Sequence, residues 1–318
     1  MKRREFIAGS LAGTVPSGGP LAAQNPNPAQ TPGAAPDVVI ERAVSGQPHA
    51  GKVLLLIQPH SDDVQLYGGL VAKLLREGYT GHLLRTTNDE CAGPGSVAET
   101  VLANEQDNRE VARVLGLKQV FDFNYRNHRM DGISALEYRA RLIFLIRLLK
   151  VDTVIGYDPW GHYEENPDHY ITAQGVEAAC WMAGMRKDYP EHFAAGLEPH
   201  SVREKYYFAR GPQLVNRIVE ITPVIEKKID VLLAGKAQGP AGNAGARLRA
   251  DLASRGLKLP LLGNDDETAN RVYIRQFLLE NERELGRKYG LEYAEAYHYI
   301  GPKPPAVDDY IKQHAVPL

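Results

Sequence analysis

Between Val53 and Ala183 a short apolar run is followed, four times in succession, by a polar loop and then by apolar residues at helical spacing. That alternation leaves few folds open. Val53–Ile57 reads VLLLI, apolar without a break, as a strand buried on both faces does. Leu66, Leu70, Leu74 and Leu75 then mark a helix over Val64–Glu77, with Gly78 as its stop. Thr80–Thr86 predicts a second strand, Val97–Leu115 a helix ended by Gly116, and Val120–Phe123 a third strand. Ala135–Leu149 reads as a helix, Thr153–Ile155 as a fourth strand and His169–Ala183 as another helix. The order predicts an α/β fold: a mostly parallel sheet with helices on both faces. The remainder is less regular. Lys205–Ala209, Arg217–Ile221 and Tyr293–Ile300 read as strands, Pro223–Leu233 and Thr268–Tyr289 as helices. Residues 235–266, rich in Gly, Ala and Asn, read as an insertion or mobile loop with a short helix.

A chain of 318 residues, 43% of them hydrophobic, suffices for one such domain with a large core. Its formal net charge of -2, with both signs interspersed, excludes nucleic acid as a main partner, because phosphate binding needs a clustered basic excess. Cys91 and Cys180 are too few for a disulfide framework and form no CxxC zinc site; whether they pair is left open. At the N-terminus, MKRREFI precedes a modest apolar run and small residues through Ala22 and Ala23. Arg3-Arg4 before Phe6-Ile7 resembles a twin-arginine export signal, the alternative being a plain basic tail. The expected organisation is a signal peptide over 1–23, a linker over 24–45 that opens with QNPNPAQTPGAAP, one domain over 46–302 and a tail over 303–318. No stretch approaches the ~20 apolar residues of a stable membrane span; the export signal implies a periplasmic or extracellular location, a plain basic tail a cytoplasmic one.

In open parallel sheets, ligands sit beyond the carboxyl ends of the strands. The loops there carry Gln58-Pro59-His60-Ser61-Asp62-Asp63, then Thr86 to Glu90, then Tyr125 to Asp131, then Tyr157 to His162 running into Asn166-Pro167-Asp168-His169. Titratable groups from four loops converge on one edge, which outweighs any single motif. Imidazole and carboxylate are good zinc ligands, and His60 and Asp63 can turn to one point at a strand-to-helix corner. His169 is the natural third ligand of a catalytic zinc, and Asp62 beside it is a candidate general base. The competing role for Asp62 and Asp63 is to cap the next helix. Iron, cobalt or nickel would also accept such ligands.

PHSDD after an apolar strand, followed by Gly68-Gly69, resembles the PHPDD or AHPDD signature of the LmbE-like, or PIG-L, deacetylases. NPDH at 166–169 is similar to that family's HPDH, TTNDE at 86–90 to its T-x-G-E loop, MDG around Asp131 to its PDG loop, and YAEAYHYIG at 293–301 to its AE-x-F segment. The resemblance runs in order from about Val53 to Gly301 and implies a zinc amidohydrolase on a Rossmann-like fold. It implies His60, Asp63 and His169 as metal ligands, Asp62 as base, and Asp168 as the residue that orients its histidine neighbours. Ser61 stands where Pro is usual, Val64 where an acidic residue is common, Asp89 where Gly is usual, and Asn166 where the first His of HPDH stands. An asparagine can donate to an oxyanion but cannot deliver a proton. His162 and His128 are the candidates to replace that histidine, with protonated Asp62 as the other source of a proton.

A small-molecule N-acylated sugar or glycoside suits the remaining groups. Tyr157, Trp160, Tyr163 and Tyr125 are candidates to stack on a ring or bind hydroxyls, and Arg126 and Arg129 to bind an acidic substituent. Asn88, Glu90, His128 and Asp131 complete the expected substrate set. The rival functions are a metal-dependent esterase or non-sugar amidase, and a non-catalytic sugar-binding protein. A nucleotide-binding enzyme is disfavoured, because PHSDD stands where GxGxxG would cradle a pyrophosphate.

Overall fold

The computed structural model describes residues 38–239, 242–302 and 306–316; the expected signal peptide and residues 24–37 of the expected linker lie outside them. In chain order the elements are β1 (Val39–Glu41), β2 (Val53–Gln58), α1 (Val64–Arg76), β3 (Thr80–Thr87), α2 (Val97–Leu115), β4 (Gln119–Tyr125), α3 (Ala135–Leu149), β5 (Thr153–Tyr157) and α4 (Pro167–Met182). After them come α5 (Glu191–Ala194), β6 (Glu204–Phe208), β7 (Arg217–Glu220), α6 (Ile225–Ala234), α7 (Ala244–Ser254), α8 (Asp266–Tyr273), α9 (Glu280–Lys288), β8 (Ala294–Ile300) and α10 (Ala306–His314). The eight strands form one sheet in the order β1-β7-β8-β6-β5-β2-β3-β4. All neighbours pair in parallel except β8, which runs antiparallel to β6 and β7.

The unbroken apolar run of β2 has its reason in two cores. Leu54 and Leu56 enter a cluster with residues of α1, α2 and α6, while Leu55 and Ile57 enter another with residues of α3 and α4. All four are fully buried; each such side chain contributes about 1.5–3 kcal/mol. Local signals fix the helix ends. Ser96 and Glu99 form a reciprocal capping box at the start of α2, and Gly116 ends it in the left-handed conformation at φ 78°.

The chain leaves β2 toward β3 and β4, then crosses back to β5 on the other side of β2. The order of the strands thus reverses between β2 and β5, and a crevice opens at their carboxyl ends. The loops after β2 and before α4 meet there. Behind that crevice the closing strand grips α1: the Glu295 carboxylate accepts the backbone N–H of Gly69 (3.0 Å) and Leu70 (2.7 Å), Lys228 Nζ (2.7 Å) and the Tyr297 hydroxyl (2.6 Å). A Cβ at Gly69 would stand 2.6 Å from Glu295 Oε1 and 2.8 Å from Ile221 Cγ2, so only glycine fits.

Several expectations are corrected. Val39–Glu41, assigned to the linker, is the edge strand β1, pinned by Glu41 to Lys73, Tyr206 and Arg217. Residues 235–266 carry the expected short helix as α7, together with the 3-10 turn Pro260–Leu262. The helix expected over Thr268–Tyr289 is interrupted by a π-turn at Ile274–Leu278. The C-terminal tail contains α10. Cys91, exposed, and Cys180, buried, are both free thiols. Among the described residues no helix is long and apolar enough to cross a membrane.

Candidate active site

His60 and Asp63 leave the end of β2, and His169 lies in the first turn of α4. His169 Nε2 stands 3.0 Å from His60 Nδ1 and 3.8 Å from Asp63 Oδ1, and His60 Nδ1 is 3.7 Å from Asp63 Oδ2. The three donors lie within 4.8 Å of one another and all three residues are buried. Asp63 does occupy the N-cap position of α1, but its side chain makes no capping bond. It accepts instead from the His60 backbone N–H (2.8 Å) and the Tyr157 hydroxyl (2.6 Å), which disposes of the helix-cap role.

Each histidine turns one nitrogen inward and presents the other to a carboxylate. His60 Nε2 meets Asp168 Oδ2 at 3.0 Å, and His169 Nδ1 lies 3.1 Å from Glu164 Oε1. Such outer carboxylates fix the ring and raise its strength as a ligand. Asp168, fully buried, also accepts Asn127 Nδ2 (2.8 Å) and the backbone N–H of His128 (2.7 Å) and Met130 (3.3 Å), so it ties the loop after β4 to α4. Tyr157 stacks on His169 with centroids 4.2 Å apart while its hydroxyl holds Asp63.

The electrostatics follow from burial and from these partners. Burial disfavours a charge on Asp168, yet the bond to His60 and the N–H donors hold its pKa down to about 2. Burial disfavours the proton on His60, but Asp168, Asp63 and Asp89 raise its pKa to about 9. Burial, then the neighbouring His60, lowers His169 to about 4. Burial pushes both Asp62 and Asp63 upward against the pull of His60. This much negative potential around two inward imidazoles and a carboxylate suits a divalent cation, and the donor set is the one a catalytic site takes from a protein.

A cavity of about 350 Å³ opens on this floor, in the range of small-molecule sites. Asp62, Gln65, Leu66, Ala92, Asn127, His128, Asn166, Arg210 and Gln238 line it together with the three donors. Asp62 sits beside the donors, and among the described residues no side chain bonds its carboxylate.

Residues 55–180 match the family model described as PIG-L: GlcNAc-PI de-N-acetylase. Diacetylchitobiose deacetylase of Thermococcus kodakarensis is 29% identical over 195 residues, which is 59% of this chain and 71% of that protein. Residues 55–180 thus match the PIG-L, or LmbE-like, family. Solved structures share the fold. N,N'-diacetylchitobiose deacetylase from Pyrococcus horikoshii superposes with a TM-score of 0.62 at 23% identity, over 81% of this chain and 88% of that one. GalB, the 4-carboxy-2-hydroxymuconate hydratase from Pseudomonas putida, does so with a TM-score of 0.56 at 16% identity, over 80% and 98%. The fold alone therefore does not set the reaction.

The departures from the PIG-L motifs find physical reasons. Asp89, where Gly is usual, adopts φ 56°, the left-handed region glycine favours, and is held there by Arg85 Nη1 (3.0 Å) and the Ser61 N–H (3.1 Å). Ser61 places its hydroxyl 2.7 Å from Asn104 Oδ1, and Gln238 Nε2 donates to both (3.0 and 2.9 Å). Asn166 caps α4 through Oδ1, which accepts the Asp168 N–H at 3.0 Å, and brings Nδ2 to 3.4 Å from His169 Nε2.

Several expected substrate contacts lie elsewhere. His162 is exposed, and it does not line the cavity; its backbone N–H is tied to Pro212 O. Arg126 pairs with Glu90 at the surface, and Asn88 bonds Glu90 and the loop after β4. Arg129 and Asp131 are exposed around a 3-10 turn outside the cavity. Trp160 packs by His298 and Tyr207, Tyr163 is 87% exposed, and the Tyr125 hydroxyl is bonded to Glu137. Tyr157 supports a donor instead of facing substrate. Sequence inspection missed Glu164, Arg210, Gln65 and Gln238. Glu164 was the findable one, two residues before Asn166 and within the same polar loop.

Proposed function

We propose that the protein is a zinc-dependent N-deacetylase that hydrolyses the acetamide of an N-acetylated amino sugar or glycoside. One observation carries the reading: His60, Asp63 and His169 converge to within 4.8 Å while Asp62 lines the same cavity with its carboxylate bonded by no other side chain among the described residues. A sugar-binding protein has no need of a spare base beside three inward donors. The similarity to a diacetylchitobiose deacetylase supports the substrate class.

His60, Asp63 and His169 would hold the ion, which when bound supplies a Lewis acid for the carbonyl and makes water acidic enough to give up a proton near neutrality. Asp62 takes that proton as the water's oxygen attacks the amide carbon. Asn166, its carbonyl committed to capping α4 and one amide N–H facing His169 Nε2 at 3.4 Å, has its second N–H to donate to the oxyanion. Gln65 and Arg210 offer donors to the hydroxyls of a sugar, and Gln238, its Nε2 committed to Ser61 and Asn104, offers its carbonyl oxygen as an acceptor. Arg210 is itself tied to Glu164 through Nε at 3.1 Å, so it also steadies the carboxylate behind His169.

The test is acetate release from N-acetylglucosamine and its short oligomers. The native protein should release acetate, and Asp62→Asn should keep its metal while kcat falls about 10²–10⁴-fold. Full activity in that variant would sink the base assignment. Acetate released from O-acetyl but not N-acetyl substrates would make the protein an esterase. Export by the twin-arginine route belongs to the same proposal. Changing Arg3 and Arg4 to Lys should trap the protein in the cytoplasm; unchanged export would refute it.

A further inference from the structure

Hydrolysis of an acetamide ends on a step that Asn166 cannot serve. The C–N bond breaks only when the nitrogen receives a proton, since an alkylamide anion is not a viable leaving group. Among the described residues that line the cavity, those whose side chains are of a type that can carry and transfer a proton are His60, Asp62, Asp63, His128 and His169. Three of these are the ion's donors, and Asp62 is the base for water. Arg210 keeps its proton under all ordinary conditions and is held by Glu164. Gln65, Gln238, Asn127 and Asn166 are amides without an acidic proton.

His128 is the remaining group: it lines the cavity from an exposed position, and its backbone is fixed there. Its backbone sits in the left-handed region at φ 58°, uncommon for a residue with a side chain. The strain is held by Asp168, whose carboxylate accepts the His128 N–H at 2.7 Å, with Asn127 and Met130 bound on either side. The same carboxylate orients His60. One buried group thus couples the position of the His128 backbone at the cavity wall to the metal floor. Such over-determined strain is characteristic of functional positions.

Resting on the deacetylase reading, we propose that His128 is the catalytic acid that protonates the departing amine, taking the part of the histidine absent at position 166. The imidazolium gives its proton to the amide nitrogen of the tetrahedral adduct as the C–N electron pair passes to that nitrogen. The products are the free amino sugar, acetic acid and neutral His128. The proton that Asp62 took from water then returns to His128 through solvent, and the site is reset.

The experiment compares native enzyme with His128→Gln on an N-acetylated chitooligosaccharide and on 4-nitrophenyl acetate, whose phenolate leaves without a proton, with bound metal quantified in both proteins. We expect an unchanged metal content, kcat on the acetamide lower by about 10²–10⁴-fold with little change in KM, and ester hydrolysis within about threefold of native. His128→Glu, which can carry a proton, should recover part of the acetamide activity if the role is chemical. Retention of acetamide kcat in His128→Gln would overturn the proposal and assign the proton to Asp62. Equal losses on amide and ester, or no recovery in His128→Glu, would reduce His128 to a structural role. Native protein inactive on every acetamide would instead refute the deacetylase reading itself.

Discussion

The floor and the wall of the cavity are built differently. On the floor every donor is held by a second group, His60 by Asp168 and Asp63 by Tyr157 from distant segments, His169 by Glu164 from its own loop. The wall is contributed by separate segments, and parts of it, such as Leu66 and His128, face solvent. Gln238 is bonded to Ser61 and Asn104, with the preceding N–H groups of Lys236 and Ala237 on Asp107. The contrast matches the demands on each. An ion requires fixed donors to a few tenths of an ångström, whereas a sugar is selected by contacts that can be exchanged one at a time.

That contrast can be broken by substitution. The largest effect is expected at Asp168, which touches no ion yet orients His60. Asp168→Asn should weaken metal binding about 10–100-fold in competition with a chelator; unchanged affinity would mean that the floor does not depend on its outer carboxylates. The effect should be smaller at Gln238. Gln238→Ala removes one polar contact worth about 1 kcal/mol, so KM should rise about fivefold while kcat and metal affinity hold. A fall in kcat or in metal affinity there would show that wall and floor are one unit.

The floor was legible in the sequence because its donors sit in two short stretches, PHSDD and NPDH, each adjoining a strand or helix whose periodicity is plain. The parallel half of the sheet was legible for the same reason. The wall was not, because Arg210 and Gln238 come from segments without regular pattern and reach the site only through tertiary contacts. Residue type misled at Arg126 and Trp160, where a cation and an aromatic near the right loops satisfy neighbours at the surface. Tyr157 reads as a sugar platform in sequence, yet it is buried at the end of β5, where it packs on His169. β1 escaped notice because three residues carry no periodicity and its partner β7 lies far along the chain.

The most direct measurement is metal stoichiometry by elemental analysis on native protein, Asp62→Asn and His169→Ala, each folded by circular dichroism. About one zinc per chain is expected in the first two and a small fraction of that in the third. Stoichiometric metal in His169→Ala, or none in the native protein supplied with zinc, would contradict a shared ion at His60, Asp63 and His169.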